Sequence, residues 1–298
     1  MSEANNYYIG SRGIMKSCDY YSSTPHSSIK QVINYPPFIK KTNTSITTIY
    51  ICSSAIPHFI HTLFKQIEFQ FILVSGDCDE TIPYDIFKSK EDFTKFIDNP
   101  KIIHWFSQNW VGNHSKVSLI PIGLDYHTMA TRQIYWGPIT SPEDQEKLLT
   151  SIKSKSKPFY EREIKCYGNF QFLMNTKYGS DRIDAYNNID KSLIFYEENK
   201  VLRLVSWKTQ IQYAFVISPH GNGLDCHRTW EALVLGCIPI VKTSKIDTLY
   251  EDLPVLIVND WKDVNYDLLV DTVNKFKNKT FNYDKLTLKY WMDKILQK

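Results

Sequence analysis

Short segments rich in β-branched residues alternate along this chain with segments of helical spacing, and this alternation constrains the fold more than any other feature. In the first half the expected strands cover residues 45–52, 69–75, 101–106 and 117–122, and the expected helices cover residues 57–67 and 91–97. Successive strands separated by a helix pair in parallel, because the helix carries the chain back to the starting edge of the sheet. The sequence therefore predicts an α/β fold with parallel sheets.

The alternation is interrupted at residues 141–158 and then restarts. This segment begins as a capped, charged helix and ends in a Lys- and Ser-rich run before Pro158, which favours a linker. A second series of expected strands and helices fills the rest of the chain. We therefore expect two domains, residues 1–157 and 158–298, each a Rossmann-like lobe, facing each other across a cleft. The first 40 residues are polar and rich in Tyr and Ser, and we expect them to form an irregular arm.

Composition narrows the class of protein. Of the 298 residues, 43% are hydrophobic and 22% are charged, which is the balance of a globular protein with a buried core. The net charge of +3 is too small to indicate a nucleic-acid partner. Six cysteines lie far apart without a C-x-x-C pair, which indicates free thiols in a reducing compartment. The first residues lack the features of a secretory signal and the apolar runs are strand-sized, so we expect a cytoplasmic protein with no transmembrane segment.

Residues 215–241 carry most of the chemical information. Their pattern predicts a strand, a turn containing Gly221 and Gly223, a helix and a further strand. Asp225 is a suitable N-cap for the helix, and Gly236 stands where a left-handed residue would end it. The helix N-terminus is then expected at the carboxyl edge of the sheet, where its N–H groups and dipole favour a diphosphate.

Arg228 and Glu231 are three residues apart and are expected on one face of this helix. A guanidinium suits bidentate binding of phosphate, and a carboxylate suits the vicinal hydroxyls of a ribose. The alternative is an Arg–Glu ion pair on the surface.

The run SPHGNGLDCHRTWEALVLGCIPIV at residues 218–241 resembles the C-terminal signature of exostosin-like glycosyltransferases, and LYEDLPVLIVNDW at residues 249–261 resembles its continuation. The resemblance is specific over residues 215–261. It implies a GT-B enzyme that uses a nucleotide sugar without an obligatory metal, and it associates Arg228 with the donor pyrophosphate and Glu231 with the ribose. The resemblance itself assigns Arg228 and Glu231, and together with the turn and helix start we expect the donor-binding residues to be Ser218, His220, Gly221, Asn222, Gly223, Asp225, Arg228 and Glu231.

Two further groups of polar residues follow expected strands in the first half. Asp77 and Asp79 form a D-x-D motif, which is similar to the metal-binding motif of GT-A glycosyltransferases; a catalytic role in the cleft and a plain polar loop are the alternatives. Asp125 and His127 are candidates for the general base that deprotonates an acceptor hydroxyl, or form a capped turn with a hydrogen-bonded histidine.

The sequence is thus interpreted as a GT-B glycosyltransferase with an acceptor lobe first and a nucleotide-sugar lobe second. The acceptor is expected to be a hydroxyl of a glycan or glycoconjugate, and the family resemblance implies inversion at the anomeric carbon. We rank Asp77 and Asp79 above Asp125 and His127 as the base, and we expect no cofactor and no essential divalent metal. The alternatives are a metal-dependent GT-A enzyme built on Asp77 and Asp79, and a non-catalytic protein that binds sugars or nucleotides.

Overall fold

The computed structural model describes residues 2–21, 46–131, 136–171, 175–197 and 199–297, and within them the chain forms two parallel β-sheets together with helices. In this described part the first sheet has four strands and the second has five, and the named strands pair in parallel. The predicted α/β fold with parallel sheets is confirmed.

The first sheet is built from the first half of the chain, and its strands lie in chain order. The elements of this half are α1 Ser11–Ser17, β1 Thr47–Cys52, α2 Ile56–His61, α3 Leu63–Gln66, β2 Phe71–Gly76, α4 Lys90–Ile97, β3 Ile102–Ser107, β4 Val117–Leu119 and α5 Tyr126–Thr131. All residues of β2 are buried, as expected for an inner strand of a sheet that is covered on both faces. Strand β4 ends earlier than predicted, because Pro121 has no N–H group with which to continue the ladder.

The second sheet departs from chain order. The elements of this half are α6 Pro142–Ser154, β5 Glu163–Gly168, α7 Ser180–Asn188, β6 Ile194–Tyr196, α8 Arg203–Gln210, β7 Tyr213–Ile217, α9 His227–Val234, β8 Ile238–Lys242, β9 Leu256–Val258, α10 Tyr266–Lys277 and α11 Leu288–Ile295. The strands lie in the order β6-β5-β7-β8-β9, so the direction of winding reverses between β5 and β7. In open parallel sheets the crevice at such a reversal, outside the carboxyl ends of the strands, is where ligands bind.

Two local predictions are wrong. The expected linker in the second half of residues 141–158 is largely helical, since α6 runs to Ser154 and buries Leu149 and Ile152 against the core. The expected irregular arm contains the helix α1, which buries Ile14 and Met15. Residues 22–40 of that arm lie outside the described residues.

The two ends of the described chain meet. The N–H of Ile9 donates to the carbonyl of Leu286 at 2.9 Å, and the N–H of Leu288 donates to the carbonyl of Tyr7 at 2.9 Å. Side chains of α1 and α11 belong to one buried cluster that also includes residues of both sheets. The N-terminal segment is therefore packed against the last helix. No helix in the described ranges is long and apolar enough to cross a lipid bilayer.

Candidate functional site

A cavity of about 310 Å³ lies at the reversal point of the second sheet. Its wall includes Asn169, which follows β5, the turn 221–223, which follows β7, and the start of α9. Loops that follow strands of the first sheet complete the wall with Asp79 and Ile122. The cavity is therefore bordered by the carboxyl ends of strands from both sheets, and it carries both guanidinium and carboxylate groups.

The turn after β7 is held by Ser218 and His220. The Ser218 hydroxyl hydrogen-bonds with the hydroxyl of Thr229 at 2.8 Å, which joins the end of the strand to α9. The backbone N–H of His220 donates to Asp181 at 2.8 Å, and Nδ1 of the same residue donates to the carbonyl of Leu224 at 2.8 Å. Both sequence-predicted residues shape the turn, whereas Gly221, Asn222 and Gly223 form the cavity wall.

The two glycines make room for other parts of this chain. A Cβ at Gly221 would lie 2.5 Å from Nη2 of Arg182, and a Cβ at Gly223 would lie 2.9 Å from Nδ2 of Asn109 and 3.1 Å from the carbonyl oxygen of Asp79. Arg182 lines the cavity beside the turn, and its Nε donates to the carbonyl of His220 at 3.2 Å. The sequence pattern thus marks a place where a cation and the D-x-D loop approach the turn closely.

The prediction that Asp225 caps the helix is wrong. Cys226 occupies the N-cap position of α9, while the Asp225 carboxylate accepts from the N–H of Ile122 at 2.7 Å and from the Trp230 indole at 2.8 Å. Asp225 is buried, and burial raises its pKa. Its role is to connect the loop after β4 to α9. At the other end of the helix Gly236 has φ +73°, as predicted for a residue that ends it.

Arg228 lies on the first turn of α9 in the wall of the cavity. Its Nη2 donates to the carbonyl of Pro219 at 2.7 Å, and its guanidinium carbon lies 5.7 Å from the centre of the Phe170 ring. Its Nε is buried and has no hydrogen-bond partner among the described residues. Burial lowers the pKa of Arg228. A buried N–H of a charged group without an acceptor is costly, and an anionic ligand in the cavity would supply the acceptor that Nε of Arg228 lacks.

Glu231 is paired with a different arginine. Among the described ion pairs its Oε1 lies 3.6 Å from Nε of Arg203, and both residues line the cavity. Arg228 and Glu231 therefore do not form the surface ion pair that was the alternative interpretation. Arg203 also donates to Asp125, through Nη1 to the carbonyl at 2.6 Å and through Nη2 to Oδ2 at 3.1 Å. Its guanidinium lies 4.9 Å from the ring centre of Trp136. This buried cluster links the two halves of the chain.

Asp125 and His127 lie together, with Nδ1 of His127 3.2 Å from Oδ1 of Asp125. Burial on its own would raise the pKa of Asp125, but the charge of Arg203 lowers it well below the usual range. A carboxylate held ionised in this way is a weak proton acceptor. Burial lowers the pKa of His127, which is not among the residues that line the cavity.

The D-x-D motif divides between two environments. Asp77 is buried and its carboxylate lies 3.3 Å from Nε of Arg12, so a guanidinium already balances its charge. Asp79 lines the cavity and accepts a hydrogen bond from Asn222. Burial raises the pKa of Asp79, and neither the bond from Asn222 nor the nearby Arg182 fully reverses that rise. Of the two carboxylates, Asp79 has the environment of a proton acceptor.

Sequence reasoning missed Arg182, Arg203 and His227 as residues of the cavity. Nδ1 of His227 donates to the carbonyl of Gly123 at 2.7 Å, which fixes the ring and leaves Nε2 as the nitrogen not used by that bond. His227 is next to Arg228 in the quoted motif, so the motif itself was the available signal. Arg182 and Arg203 have no such signal, because each stands in a separate helix whose position depends on the sheet order.

Among the residues that the structure describes, no group of three or more His, Cys, Asp and Glu side chains is arranged to hold a metal ion. Compared with protein-family models and with curated protein sequences, this chain matches none.

Proposed function

We propose that this chain is a glycosyltransferase of the GT-B type, with two Rossmann-like lobes that face each other across the described cavity. The observation that carries the proposal is the buried Nε of the half-buried Arg228, which has no acceptor among the described residues at the reversal point of a parallel sheet. A nucleotide-sugar diphosphate supplies the missing acceptor oxygens and a compensating charge. The exostosin-like motif over residues 215–261 supports the same interpretation.

The donor diphosphate is proposed to lie between Arg228, Arg182 and the N-terminus of α9. The two guanidiniums contact the turn from two different helices, α7 and α9, and the dipole of α9 adds a partial positive charge at the same place. Glu231 is proposed to accept hydrogen bonds from the ribose hydroxyls, with Nε of Arg203 3.6 Å from its Oε1. These contacts stabilise the diphosphate as it leaves, because negative charge builds up on it in the transition state.

Asp79 is proposed as the general base. The acceptor hydroxyl gives its proton to Asp79, its oxygen forms a bond to the anomeric carbon of the donor, and the bond from that carbon to the diphosphate breaks with inversion. Asp79 is favoured over Asp125 because its pKa is raised by burial, whereas that of Asp125 is held low by Arg203. The acceptor is proposed to be a glycan or glycoconjugate hydroxyl.

The metal-dependent GT-A alternative needs both carboxylates of the D-x-D motif on one cation. Asp77 is paired with Arg12, and the proposed phosphate-binding groups lie on α9 and α7, so the charge of the leaving group is balanced without that motif. We therefore propose that turnover does not depend on a divalent metal. All six cysteines are free thiols, which supports a cytoplasmic location.

Binding is tested by the thermal stability of the protein with a panel of nucleosides, nucleoside diphosphates and nucleotide sugars. A ligand at 100 times its Kd adds about 2.7 kcal/mol to the stability of the native state. We expect one nucleoside diphosphate to stabilise the protein more than its nucleoside, and Arg228→Ala to lose that difference. Lys208→Ala, which removes an exposed positive charge from α8, is the matched control and should keep it. Equal stabilisation of Arg228→Ala and wild type would remove the phosphate assignment.

A further inference from the structure

Two cysteines meet at the carboxyl edge of the first sheet. Cys52 is the last residue of β1 and pairs in register with Gly76, the last residue of β2. Asp77 follows with φ +53°, a left-handed turn that carries the chain back toward β1. The next residue, Cys78, therefore stands beside Cys52 in the fold, since the Cys52 Sγ donates to the carbonyl of Asp77, the residue directly before Cys78, at 3.6 Å.

The surroundings of the two thiols are polar. Sγ of Cys52 lies 3.5 Å from the hydroxyl of Ser54 and donates to the carbonyl of Asp77 at 3.6 Å. Sγ of Cys78 hydrogen-bonds with the carboxylate of Glu80. Cys52 is half-buried and Cys78 is buried, so one thiol of the pair is open to a reagent and the other lies behind it. A reagent-accessible thiol next to a second thiol is the arrangement of a reversible redox site.

We propose that Cys52 and Cys78 form a thiol–disulfide modification site that acts on the loop carrying Asp79. The Cys52 thiolate attacks one sulfur of a small dialkyl disulfide, releases one thiol and forms a mixed disulfide. The Cys78 sulfur then attacks the Cys52 sulfur, and its proton passes by way of the Glu80 carboxylate to the second thiol as that thiol leaves. The protein loses two hydrogens and two electrons, and the dialkyl disulfide is reduced to two thiols, so the exchange balances.

The consequence for the site follows from bond lengths. The two sulfurs must approach to about 2.05 Å when the disulfide forms. Cys78 stands directly before Asp79, whose backbone also touches Gly223 and accepts from Asn109 at 3.5 Å. Bond formation therefore pulls the D-x-D loop toward β1 and shifts Asp79 within the cavity. A displacement of about 1 Å of a catalytic group costs on the order of 10²-fold in rate.

The modification itself is tested without reference to activity. The reduced protein is incubated with glutathione disulfide, and its mass, free thiols and tryptic peptides are measured. We expect a loss of about 2 Da and two thiols. One linked pair of tryptic peptides should appear, residues 42–65 with residues 66–88. Cys226→Ser, which removes another half-buried cysteine, should give the same linked pair, and Cys52→Ser should not. Six thiols remaining, or a disulfide between other cysteines, would overturn the proposal.

The effect on catalysis rests on the proposed function and is measured separately. Oxidised wild type should transfer sugar at least about tenfold more slowly than reduced wild type, and dithiothreitol should restore the rate. Cys52→Ser should be insensitive to the oxidant. Stabilisation by the nucleoside diphosphate should survive oxidation, because its proposed contacts lie on α7 and α9. If the protein that carries the Cys52–Cys78 disulfide transfers sugar at the unchanged rate, the proposed regulation is wrong. If the reduced protein is inactive, that result counts against the proposed function and not against the disulfide.

Discussion

At the scale of single residues, the arginines of the site differ in whether a carboxylate lies within ion-pair distance of the guanidinium. Arg203 has two carboxylate neighbours, Asp125 and Glu231, within ion-pair distance. Arg228 donates to a neutral carbonyl and keeps a buried Nε without a partner among the described residues. Both are arginines, so only their surroundings distinguish them, and on those surroundings we propose Arg228 as the group that binds an anion. The sequence motif singles out Arg228, because the turn that Arg228 contacts through the carbonyl of Pro219 belongs to the same motif.

Arg228→Ala is expected to lower turnover by roughly 10²–10³-fold, the effect of losing one preorganised donor to a developing negative charge. The measurement is kcat for nucleoside diphosphate release from the donor that the binding panel identifies. Lys208→Ala should retain a near-normal rate, because its side chain is exposed on α8. A rate for Arg228→Ala within a few-fold of wild type would mean that another group stabilises the leaving diphosphate.

Asp79→Asn is expected to abolish transfer while leaving nucleoside diphosphate binding intact, because an amide cannot accept the proton of the acceptor hydroxyl. Since burial raises the pKa of Asp79, the activity of the wild type should fall as the pH drops through a value above the ordinary range of an aspartate. The measurement is the pH dependence of transfer at saturating donor. Asp77→Asn is the comparison, and an equal loss of transfer in that variant would show that the motif acts as a unit.

At the scale of elements, the segment from β7 to β8 was the best predicted part of the chain. Its strand, turn, helix and terminal Gly236 all depend on neighbours within a few residues, and the structure has them in the predicted order. Asp225 was misassigned because its partner Ile122 lies 103 residues away in sequence. Local spacing favours a cap at that position, but a backbone N–H from the other half of the chain and the indole of Trp230 take the carboxylate instead.

Asp225→Ala should destabilise the fold through its buried partners. The substitution leaves the N–H of Ile122 and the indole N–H of Trp230 without an acceptor, at a cost of about 1–3 kcal/mol for each. The measurement is the free energy of unfolding in urea. Asp271→Ala, an exposed aspartate on α10, is the control and should change stability by less than about 0.5 kcal/mol. Equal stability of the two variants would show that Asp225 does not join the loop to the helix.

At the scale of the whole molecule, the sequence predicted two sheets but not the contacts that join the first half of the chain to the second. The connections are long-range: Arg203 donates to Asp125 across 78 residues, and the segment 7–9 bonds with residues 286–288. No local pattern indicates that Asp125 pairs with an arginine of α8. Asp125 is a candidate base in the sequence, and in the fold it is a buried carboxylate in the wall of the cavity, with its pKa held low by Arg203 although burial acts to raise it.

Arg203→Met should cost about 3–5 kcal/mol of stability, because it leaves Asp125 and Glu231 without their buried cation. The pH dependence has a definite sign. The native pKa of Asp125 is lowered, so its contribution is fully present above the unfolded value of about 3.9 and is lost as the pH falls below it. Urea unfolding from pH 7 to pH 3 should therefore show a steeper acid loss in wild type than in Arg203→Met. Parallel profiles would contradict the assignment.

The most direct test of the central claim is nucleoside diphosphate release from a panel of nucleotide sugars, measured after dialysis against EDTA. Because Arg228, Arg182 and the start of α9 are proposed to balance the charge of the leaving group, we predict that one donor is turned over and that EDTA leaves most of the rate intact. Arg228→Ala should lose that rate. Loss of all turnover in EDTA, restored by Mn²⁺ and abolished by Asp77→Ala, would contradict the account and favour a metal-dependent GT-A enzyme.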